Sequence, residues 1–213
     1  MQDDVKRSRA SGVIGQPRTR AARQAVVAAA RTLFLERGYA ASTVEAVSNL
    51  AGVPPATVYR LFASKIGILK ALLDVSIAGD DQPVAVEDRP AVVSLFAEPD
   101  PVRLLSGFAG VTTAINQRTN DIYRVLVSAA GSDPAAAGLL DNLQQQRDSG
   151  QRQIVNALAR SGSLRDGLEQ REAMDLVHAI MSPEVYSLLV VDRGWTPEKY
   201  QRWLATTLVQ QLT

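Results

Sequence analysis

Cysteine is absent from the 213 residues of the chain, and histidine occurs once, as His178. Without cysteine there is no disulfide, no thiol nucleophile and no thiolate metal site. A single histidine also argues against a histidine-rich metal centre and against a catalytic triad. The sequence has no Gly-rich phosphate loop and no cluster with metal-ligand spacing. It therefore predicts a protein that is not an enzyme and that uses no metal or cofactor.

Long hydrophobic runs are missing as well. No apolar stretch reaches the roughly 20 residues that span a bilayer. The first residues, "MQDDVKRSRASGVIGQPRTR", are polar and contain no apolar core of a signal peptide. We therefore expect a soluble cytoplasmic protein without a membrane partner.

The net charge of +1 hides an uneven distribution. Residues 1–70 contain eleven Lys or Arg and four Asp or Glu, a balance of +7, whereas residues 71–213 contain twelve and eighteen, a balance of −6. This asymmetry favours a polyanionic partner for the N-terminal part. The alternative is a basic solvated surface with no partner.

Apolar residues in the N-terminal part recur at helical spacing, and no strand pattern is evident. The spacing predicts a helix over 18–37 that ends at Gly38 as a left-handed cap. Ser42 followed by Glu45 predicts a capping box at the start of a second helix. We expect Val44, Val47 and Leu50 to form the buried side of that helix.

The stretch "AGVPPATVYRLF", residues 51–62, places a glycine and two prolines between apolar residues. Gly52 can turn the chain sharply, and Pro54 and Pro55 suit only the first turn of a new helix. The pattern predicts a third helix over 54–61 with Val58 and Phe62 inward and Thr57 and Arg60 outward. Ser64 would then cap a fourth helix that links the two halves of the chain. Two helices joined by a tight turn form a helix-turn-helix, whose second helix fits the major groove of DNA.

The rest of the chain predicts further helices with clear boundaries. Asp100 and Asp133, each followed by proline, are typical N-caps, and Thr196 before Pro197 starts the last helix. Pro183 should kink the apolar helix over 169–193. The predicted organisation is all-α: a disordered basic arm over 1–17, a helix-turn-helix DNA-binding domain over 18–78, a linker region over 79–99 and a larger helical domain over 100–213.

Several motifs resemble the DNA-binding domain of TetR-family bacterial transcriptional regulators. They are Gly38-Tyr39, Thr43-Val44, Ala51-Gly52-Val53, Thr57-Val58-Tyr59, Phe62 and Ser64-Lys65, within about residues 20–75. The stretch "SPEVYSLLVVDRGWTPEKYQRWL" looks like the C-terminal ligand-binding and dimerisation domain of one branch of that family. The resemblance implies an all-α homodimer that binds a palindromic operator and leaves it when a small molecule enters the C-terminal domain.

The resemblance also implies which residues meet DNA. The third helix becomes the recognition helix, and a phosphate-contacting lysine of the family matches Lys65. The candidate DNA contacts are Thr43, Pro55, Ala56, Thr57, Tyr59, Arg60 and Lys65. The chain departs from the family at Pro54, Pro55 and Leu61, because neither proline can donate a hydrogen bond. Specificity would then rest on Arg60, on DNA shape and on apolar contacts to thymine methyl groups.

The C-terminal helices match the family's dimerisation helices. The candidate interface residues are Val185, Leu188, Leu189, Tyr200, Trp203, Leu204 and Leu208. The alternative is that these residues bury one another within a single chain.

The resemblance implies an effector pocket among the helices between the linker and the dimer interface. Its candidate residues are Phe96, Phe108, Thr112, Asn116, Tyr123, His178 and Met181. Phe108, Thr112 and Asn116 are spaced by four and would share one helix face. The alternative is that the aromatic and methionine side chains are plain core, with His178 satisfied among them.

These observations favour a ligand-responsive DNA-binding regulator, most often a repressor. The alternative function is a DNA-binding protein without an effector, either nucleoid-type or an activator. A buried second domain of this size argues against a purely structural DNA binder, since such a protein needs no cavity.

Overall fold

The computed structural model describes residues 15–80 and 85–213, and within these ranges the fold is all-α, as predicted. The chain forms two compact units that meet within a helix, the first ending at Leu72 and the second beginning at Leu73. The arm expected over 1–17 lies almost entirely outside the described residues.

The first four helices begin in the first unit, and the later helices belong to the second. The helices are α1 (Gly15–Ala41), α2 (Val44–Ala51), α3 (Pro55–Phe62), α4 (Lys65–Ala78), α5 (Pro90–Phe96), α6 (Pro101–Ala130), α7 (Pro134–Arg160), α8 (Gln170–Ile180), α9 (Pro183–Tyr186, continued by a π-helical segment over Ser187–Asp192) and α10 (Pro197–Leu212), with a 3-10 turn at Val86–Asp88.

The core of the first unit forms where α1, α2 and α3 pack together. Phe34 and Val47 are fully buried, and Val58 and Phe62 of α3 point inward as predicted. The guanidinium of Arg23 on α1 lies over the ring of Phe62, 4.9 Å from its centre. The helix-turn-helix is therefore held by contacts on one side of α3, which leaves the other side in solvent.

The junction between α1 and α2 differs from the prediction in its details. Gly38 has φ 78° and ψ 167°, so the chain breaks there in an extended, glycine-specific conformation rather than a left-handed cap. Thr43, not Ser42, caps α2, because its side chain accepts the N–H of Ala46. Ser42 is buried and donates its hydroxyl to the carbonyls of Leu33 and Gly38.

The predicted burial of Leu50 in α2 is wrong. Leu50 is 55% exposed, while Ser48 is buried together with Val44 and Val47. The Ser48 hydroxyl compensates for its burial by donating to the Val53 carbonyl at 2.5 Å. Hydrophobicity predicts a buried Leu50, but in the packed helix the hydrogen-bonded Ser48 faces inward instead.

The second unit is built on the antiparallel pair α6 and α7, against which α10 and α8 pack. The side chains of Asp100 and Asp133 cap α6 and α7, as their sequence positions predicted. Thr196 caps α10 by accepting the N–H of Lys199. In α10, Tyr200, Leu204, Leu208 and Leu212 are all completely buried, so this helix forms the centre of the unit's core.

The predicted kink at Pro183 is present, since α8 ends at Ile180 and α9 begins at Pro183 with Ser182 as its cap. Within the described residues, the segment Gln170–Asp192 is the stretch long and apolar enough to cross a membrane by composition, which is weak evidence because core helices of soluble proteins pass the same test. Of the 18 residues in the most apolar part of this segment, 22% are buried within the chain.

Candidate nucleic-acid interface and interior polar cluster

The turn between α2 and α3 sets the direction of α3. Gly52 adopts the left-handed conformation (φ 64°, ψ 26°) that ends α2, and its N–H bonds to the Asn49 carbonyl. The Pro54 carbonyl then accepts the N–H groups of Thr57 and Val58, at 2.9 and 3.1 Å. Because glycine takes this conformation at little cost, the sequence builds a tight and well-defined turn here.

The solvent face of α3 carries most of the predicted DNA contacts. Pro55, Ala56, Tyr59 and Arg60 are exposed, and Thr57 is half-buried. Residues four apart lie above one another on a helix, so Pro55 stands next to Tyr59 and Ala56 next to Arg60. The face therefore begins with apolar groups and ends with a phenol and a guanidinium.

Tyr59 is tied to α2 by a carboxylate that sequence reasoning did not connect to it. The Tyr59 hydroxyl donates to Glu45 Oε1 at 3.3 Å, and the ring is 46% exposed. The negative charge of Glu45 raises the pKa of Tyr59, with smaller contributions from burial and the hydrogen bond. Glu45 lies fourteen residues away in the chain, and only the packing of α2 against α3 brings the two side chains together.

Lys65 and Thr43 both have partners within the first unit. The Lys65 ammonium donates to the Tyr39 carbonyl at 2.9 Å and lies 4.1 Å from the centre of the Tyr39 ring. These contacts orient the ammonium at the N-terminal end of α4. Thr43 is exposed, and its oxygen is occupied as the cap of α2, which leaves the hydroxyl proton available to an anion.

The candidate effector residues fall into two separate groups. The rings of Phe96 and Phe108 are 4.9 Å apart, and both belong to the apolar core together with Met181. Thr112 is half-buried and Asn116 is buried further along α6. These five residues belong to the interior of the second unit.

Tyr123 and His178 instead belong to a polar network nearer the surface. The Tyr123 hydroxyl donates to Glu184 at 2.8 Å, and Arg147 joins Glu184 to His178. His178 Nδ1 lies 2.8 Å from the carboxylate of Asp148, with 46% of its side chain exposed. The expectation of an interior His178 is therefore wrong, because the helix face carrying it turns toward α7 at the edge of the unit.

His178 lines an open groove of about 680 Å³ between α7 and α8. The groove is bordered by bonded pairs, His178 with Asp148 and Gln170 with Asn156. Its remaining lining is mixed in charge and consists of Arg152, Arg171, Met174 and Asp175.

Six buried side-chain atoms among the described residues of the second unit have no hydrogen bond of regular geometry, two of them in Arg89 and Arg147. The other four belong to uncharged residues, of which sequence analysis named only Asn116 as a pocket residue. They are Asn116 Nδ2, Asn120 Oδ1, Gln151 Oε1 and the Tyr200 hydroxyl. Asn116 and Asn120 are spaced by four on α6, and the Asn116 amide lies beside the Tyr200 phenol. All four residues are uncharged and at most 5% exposed. Such groups are costly when unsatisfied. We call these four buried side chains of α6, α7 and α10 (Asn116, Asn120, Gln151 and Tyr200) the interior polar cluster.

We expect the Tyr200→Phe variant to stay within about 1 kcal/mol of the wild type in stability at neutral pH, because the buried hydroxyl has the Asn116 amide beside it but no hydrogen bond of regular geometry to lose. Burial raises the pKa of Tyr200 to about 12, and the Asn116 amide, a hydrogen-bond donor that favours the ionised phenol, opposes part of the rise. The folded chain thus holds this proton more tightly than the unfolded chain. The contribution of the protonated Tyr200 phenol to folding stability is complete below a pH of about 10, and it is lost as the pH rises toward 12.

Urea denaturation between pH 8 and 11.5 tests this expectation. The variant should show a shallower alkaline decline than the wild type. Burial and the Glu184 hydrogen bond raise the pKa of Tyr123 to about 12 as well, so Tyr123→Phe serves as the comparison. A marked loss of stability in Tyr200→Phe at pH 7 would show that the hydroxyl is satisfied in solution.

Three of the expected interface residues are buried within one chain. Tyr200, Leu204 and Leu208 have no exposed surface, so they cannot touch a partner in this conformation. The placement of these three at a subunit interface is therefore wrong, and the alternative of burial within one chain holds for them. Val185, Leu189 and Trp203 are partly exposed, and Leu188 is 54% exposed.

The helix-turn-helix with an exposed second helix defines a class of DNA-binding transcription regulators. Residues 26–72 match the model of bacterial regulatory proteins of the tetR family. This segment therefore carries the DNA-binding domain of the tetR family, and the chain is similar to helix-turn-helix transcriptional regulators.

Two curated relatives and one solved structure illustrate the similarity. The repressor BdcR of Escherichia coli K12 is 35% identical over 38% of this chain, and the match spans only 42% of BdcR. The regulator YdeS of Bacillus subtilis 168 is 25% identical over 83% of this chain and 82% of its own length. NalD, the secondary repressor of the MexAB-OprM multidrug efflux pump of Pseudomonas aeruginosa, has the same fold, with a TM-score of 0.66, 20% identity and coverage of 92% of this chain and 98% of NalD.

Proposed function

We propose that the protein is a cytoplasmic homodimeric repressor that binds a palindromic operator and is released by a small molecule. The observation that carries this proposal is the exposed face of α3, which is held rigidly by the Gly52 turn within the segment that matches the family. BdcR and NalD, to which the chain is similar, are both named as repressors.

The contact with DNA would combine phosphate and base recognition. Thr43 and Lys65 lie at the N-terminal ends of α2 and α4, where backbone N–H groups also favour an anion. Thr57 and Tyr59 would meet the backbone, while Pro55, Ala56 and Arg60 face the bases. Glu45 would have to release the Tyr59 hydroxyl, since a carboxylate repels the phosphate that Tyr59 approaches.

The homodimer would form on the uncovered apolar surface of α9. Leu188 and Val191 are 54% and 46% exposed, and Val185 and Leu189 beside them are partly exposed. A second copy offers the same surface, which is the self-complementary contact of a two-fold dimer. The operator would then be palindromic, with half-sites about 34–36 Å apart in successive major grooves.

The effector would enter the interior of the second unit. The aromatic pair Phe96 and Phe108 supplies apolar contacts, and Thr112 with the interior polar cluster supplies hydrogen bonds. A mostly apolar site with a few placed polar groups is the usual design of a small-molecule pocket. Tyr123 and His178 would act at its rim rather than inside it.

The link between effector and DNA would run along α4, which begins in the first unit and ends in the second. Arg118 on α6 binds the last carbonyls of α4, and it lies two residues from Asn116. A ligand that favours another position of α6 would shift α4 and change the spacing of the two recognition helices. It can do so only through a difference in its affinity for the two states.

Selection of genomic fragments by the purified protein at moderate salt, followed by sequencing, tests the proposal. We expect one two-fold symmetric site to be enriched, and Tyr59→Ala and Lys65→Ala to abolish the enrichment. Loss of one phosphate contact at Lys65 should lower the salt slope of binding by about 0.9. Lys65→Arg and Tyr59→Phe are the matched controls, because they keep the charge and the ring.

Binding without sequence preference in both the wild type and the variants would contradict the repressor. A symmetric site whose affinity no small molecule changes, across a panel of compounds suggested by the neighbouring genes, would support the second candidate. That candidate is a DNA-binding protein without an effector, such as an activator, and the unsatisfied interior polar cluster speaks against it.

A further inference from the structure

The first turn of α3 presents hydrocarbon to solvent and almost no hydrogen-bonding capacity. Pro54, Pro55 and Ala56 are all exposed, and the two prolines have no N–H. The Thr57 N–H, which would otherwise point from this turn, is bonded to the Pro54 carbonyl at 2.9 Å. A recognition helix that reads bases through hydrogen bonds would need polar side chains at this end.

We infer that Pro55 and Ala56 recognise the C5-methyl groups of thymine in the major groove. The inference rests on the proposed DNA-binding function and assigns a base chemistry to it. Thymine is the base whose major-groove edge carries a methyl group, beside its O4 acceptor, whereas the polar groups of the other bases have no such apolar neighbour. A guanine, cytosine or adenine edge against Pro55 would lose hydrogen bonds to water without replacement.

The rigidity of this turn makes a contact as small as a methyl group effective. The ring of each proline fixes its φ, and the Val58 N–H bonds to the Pro54 carbonyl at 3.1 Å. Gly52 fixes the chain entering the turn. Little conformational freedom is therefore lost when the turn meets the bases, so the gain from the methyl contact is not offset by ordering.

Arg60 completes the readout at the other end of the face. It is exposed, and no ion pair engages it among the described residues. It lies one turn beyond Ala56, where its guanidinium can bind guanine O6 and N7 in a bidentate manner. Each half-site should then contain one or two thymines whose methyl groups face α3, followed by a guanine.

Deoxyuridine substitution tests the inference, because it removes the methyl group and leaves the base pair intact. The probe is the operator duplex recovered by genomic selection, with each thymine of one half-site replaced in turn and affinity measured by fluorescence anisotropy at fixed salt. We expect one or two positions per half-site to weaken binding about fourfold each, the value of one buried methyl group. Thymines outside the half-sites should show no change.

Protein variants separate direct contact from a change in DNA shape. The double variant Pro55→Ala with Ala56→Gly should bind the thymine and uracil operators equally, after thermal unfolding has shown that it is folded. Tyr59→Phe is the matched control, since it should bind both operators more weakly and keep the fourfold ratio.

Each outcome decides the inference. Equal affinity of the wild-type protein for both operators would overturn it and leave the DNA-binding function intact. A uracil effect that persists in the double variant would also overturn it, because DNA shape would then be the cause. Failure to recover any preferred sequence would overturn both the inference and the proposed function.

Discussion

Replacing Leu204 with alanine is expected to lower the free energy of unfolding by about 2–5 kcal/mol. Leu204 has no exposed surface and packs in the core of the second unit with Tyr200 and Leu208. The substitution leaves a cavity that the surrounding helices can fill only in part. Urea denaturation at several protein concentrations measures the loss, and the loss should persist at the highest concentration.

Leu188→Ala is the contrasting variant, because Leu188 is 54% exposed. We expect it to weaken the dimer, seen by light scattering at micromolar concentration, and to change the stability of the single chain by less than about 1 kcal/mol. The core assignment would be contradicted if Leu204→Ala dissociated the dimer while leaving the chain's own stability unchanged. Together the two variants separate the core face of the C-terminal helices from their proposed interface.

Replacing Arg118 with alanine is expected to free the C-terminal end of α4. Arg118 Nε donates to the Ser76 carbonyl at 2.9 Å and its Nη2 to the Ile77 carbonyl at 2.8 Å. These are carbonyls of the last turn of α4, where a cation also opposes the negative end of the helix dipole. Loss of two charge-assisted bonds should cost about 2–3 kcal/mol of local stability.

The surroundings of Arg118 indicate that the contact is closely fitted. Gly79 follows α4 with φ 84°, and a Cβ at this position would lie 3.3 Å from the guanidinium carbon of Arg118. Beside it, Arg89 and Asp80 form a two-bonded ion pair at 2.8 and 2.9 Å. Burial lowers the pKa of Arg118, and Arg89 adds to this effect while Asp80 opposes it.

Amide hydrogen exchange measures the result. We expect faster exchange over residues 73–79 in Arg118→Ala, together with a changed operator affinity if α4 carries the signal. Arg124→Ala is the matched control, an exposed arginine on the same helix, and should change neither quantity. Arg118→Lys should behave almost like Arg118→Ala, because an ammonium cannot span the two carbonyls as the planar guanidinium does. Unchanged exchange over 73–79 in Arg118→Ala would contradict the capping role.

Helix boundaries were the features that local sequence predicted best. Gly52, Asp100, Asp133 and Thr196 mark helix ends as expected, because each acts through its own backbone geometry or through N–H groups two or three residues away. The proline at position 183 broke its helix for the same local reason. The all-α fold and the helix-turn-helix followed from these signals and from the helical spacing of apolar residues.

Burial was predicted less well wherever two faces of a helix were comparably apolar. The sequence predicts a buried Leu50, but Leu50 is exposed and Ser48 is buried, with its hydroxyl bonded to the Val53 carbonyl. In α10, one apolar face was assigned to a partner subunit, although α6 within the same chain covers it. Apolar spacing identifies a face that must be buried, and it does not identify which surface buries it.

The sequence by itself determined that the chain is helical, where most helices start and stop, and which face of α3 is buried. These properties depend on interactions within a few residues. The tertiary structure alone decided that Glu45 holds Tyr59, that Arg118 caps α4 and that four uncharged polar groups lie unsatisfied inside the second unit. Each of these joins residues far apart in the chain or depends on how helices pack, so only the complete set of contacts establishes it.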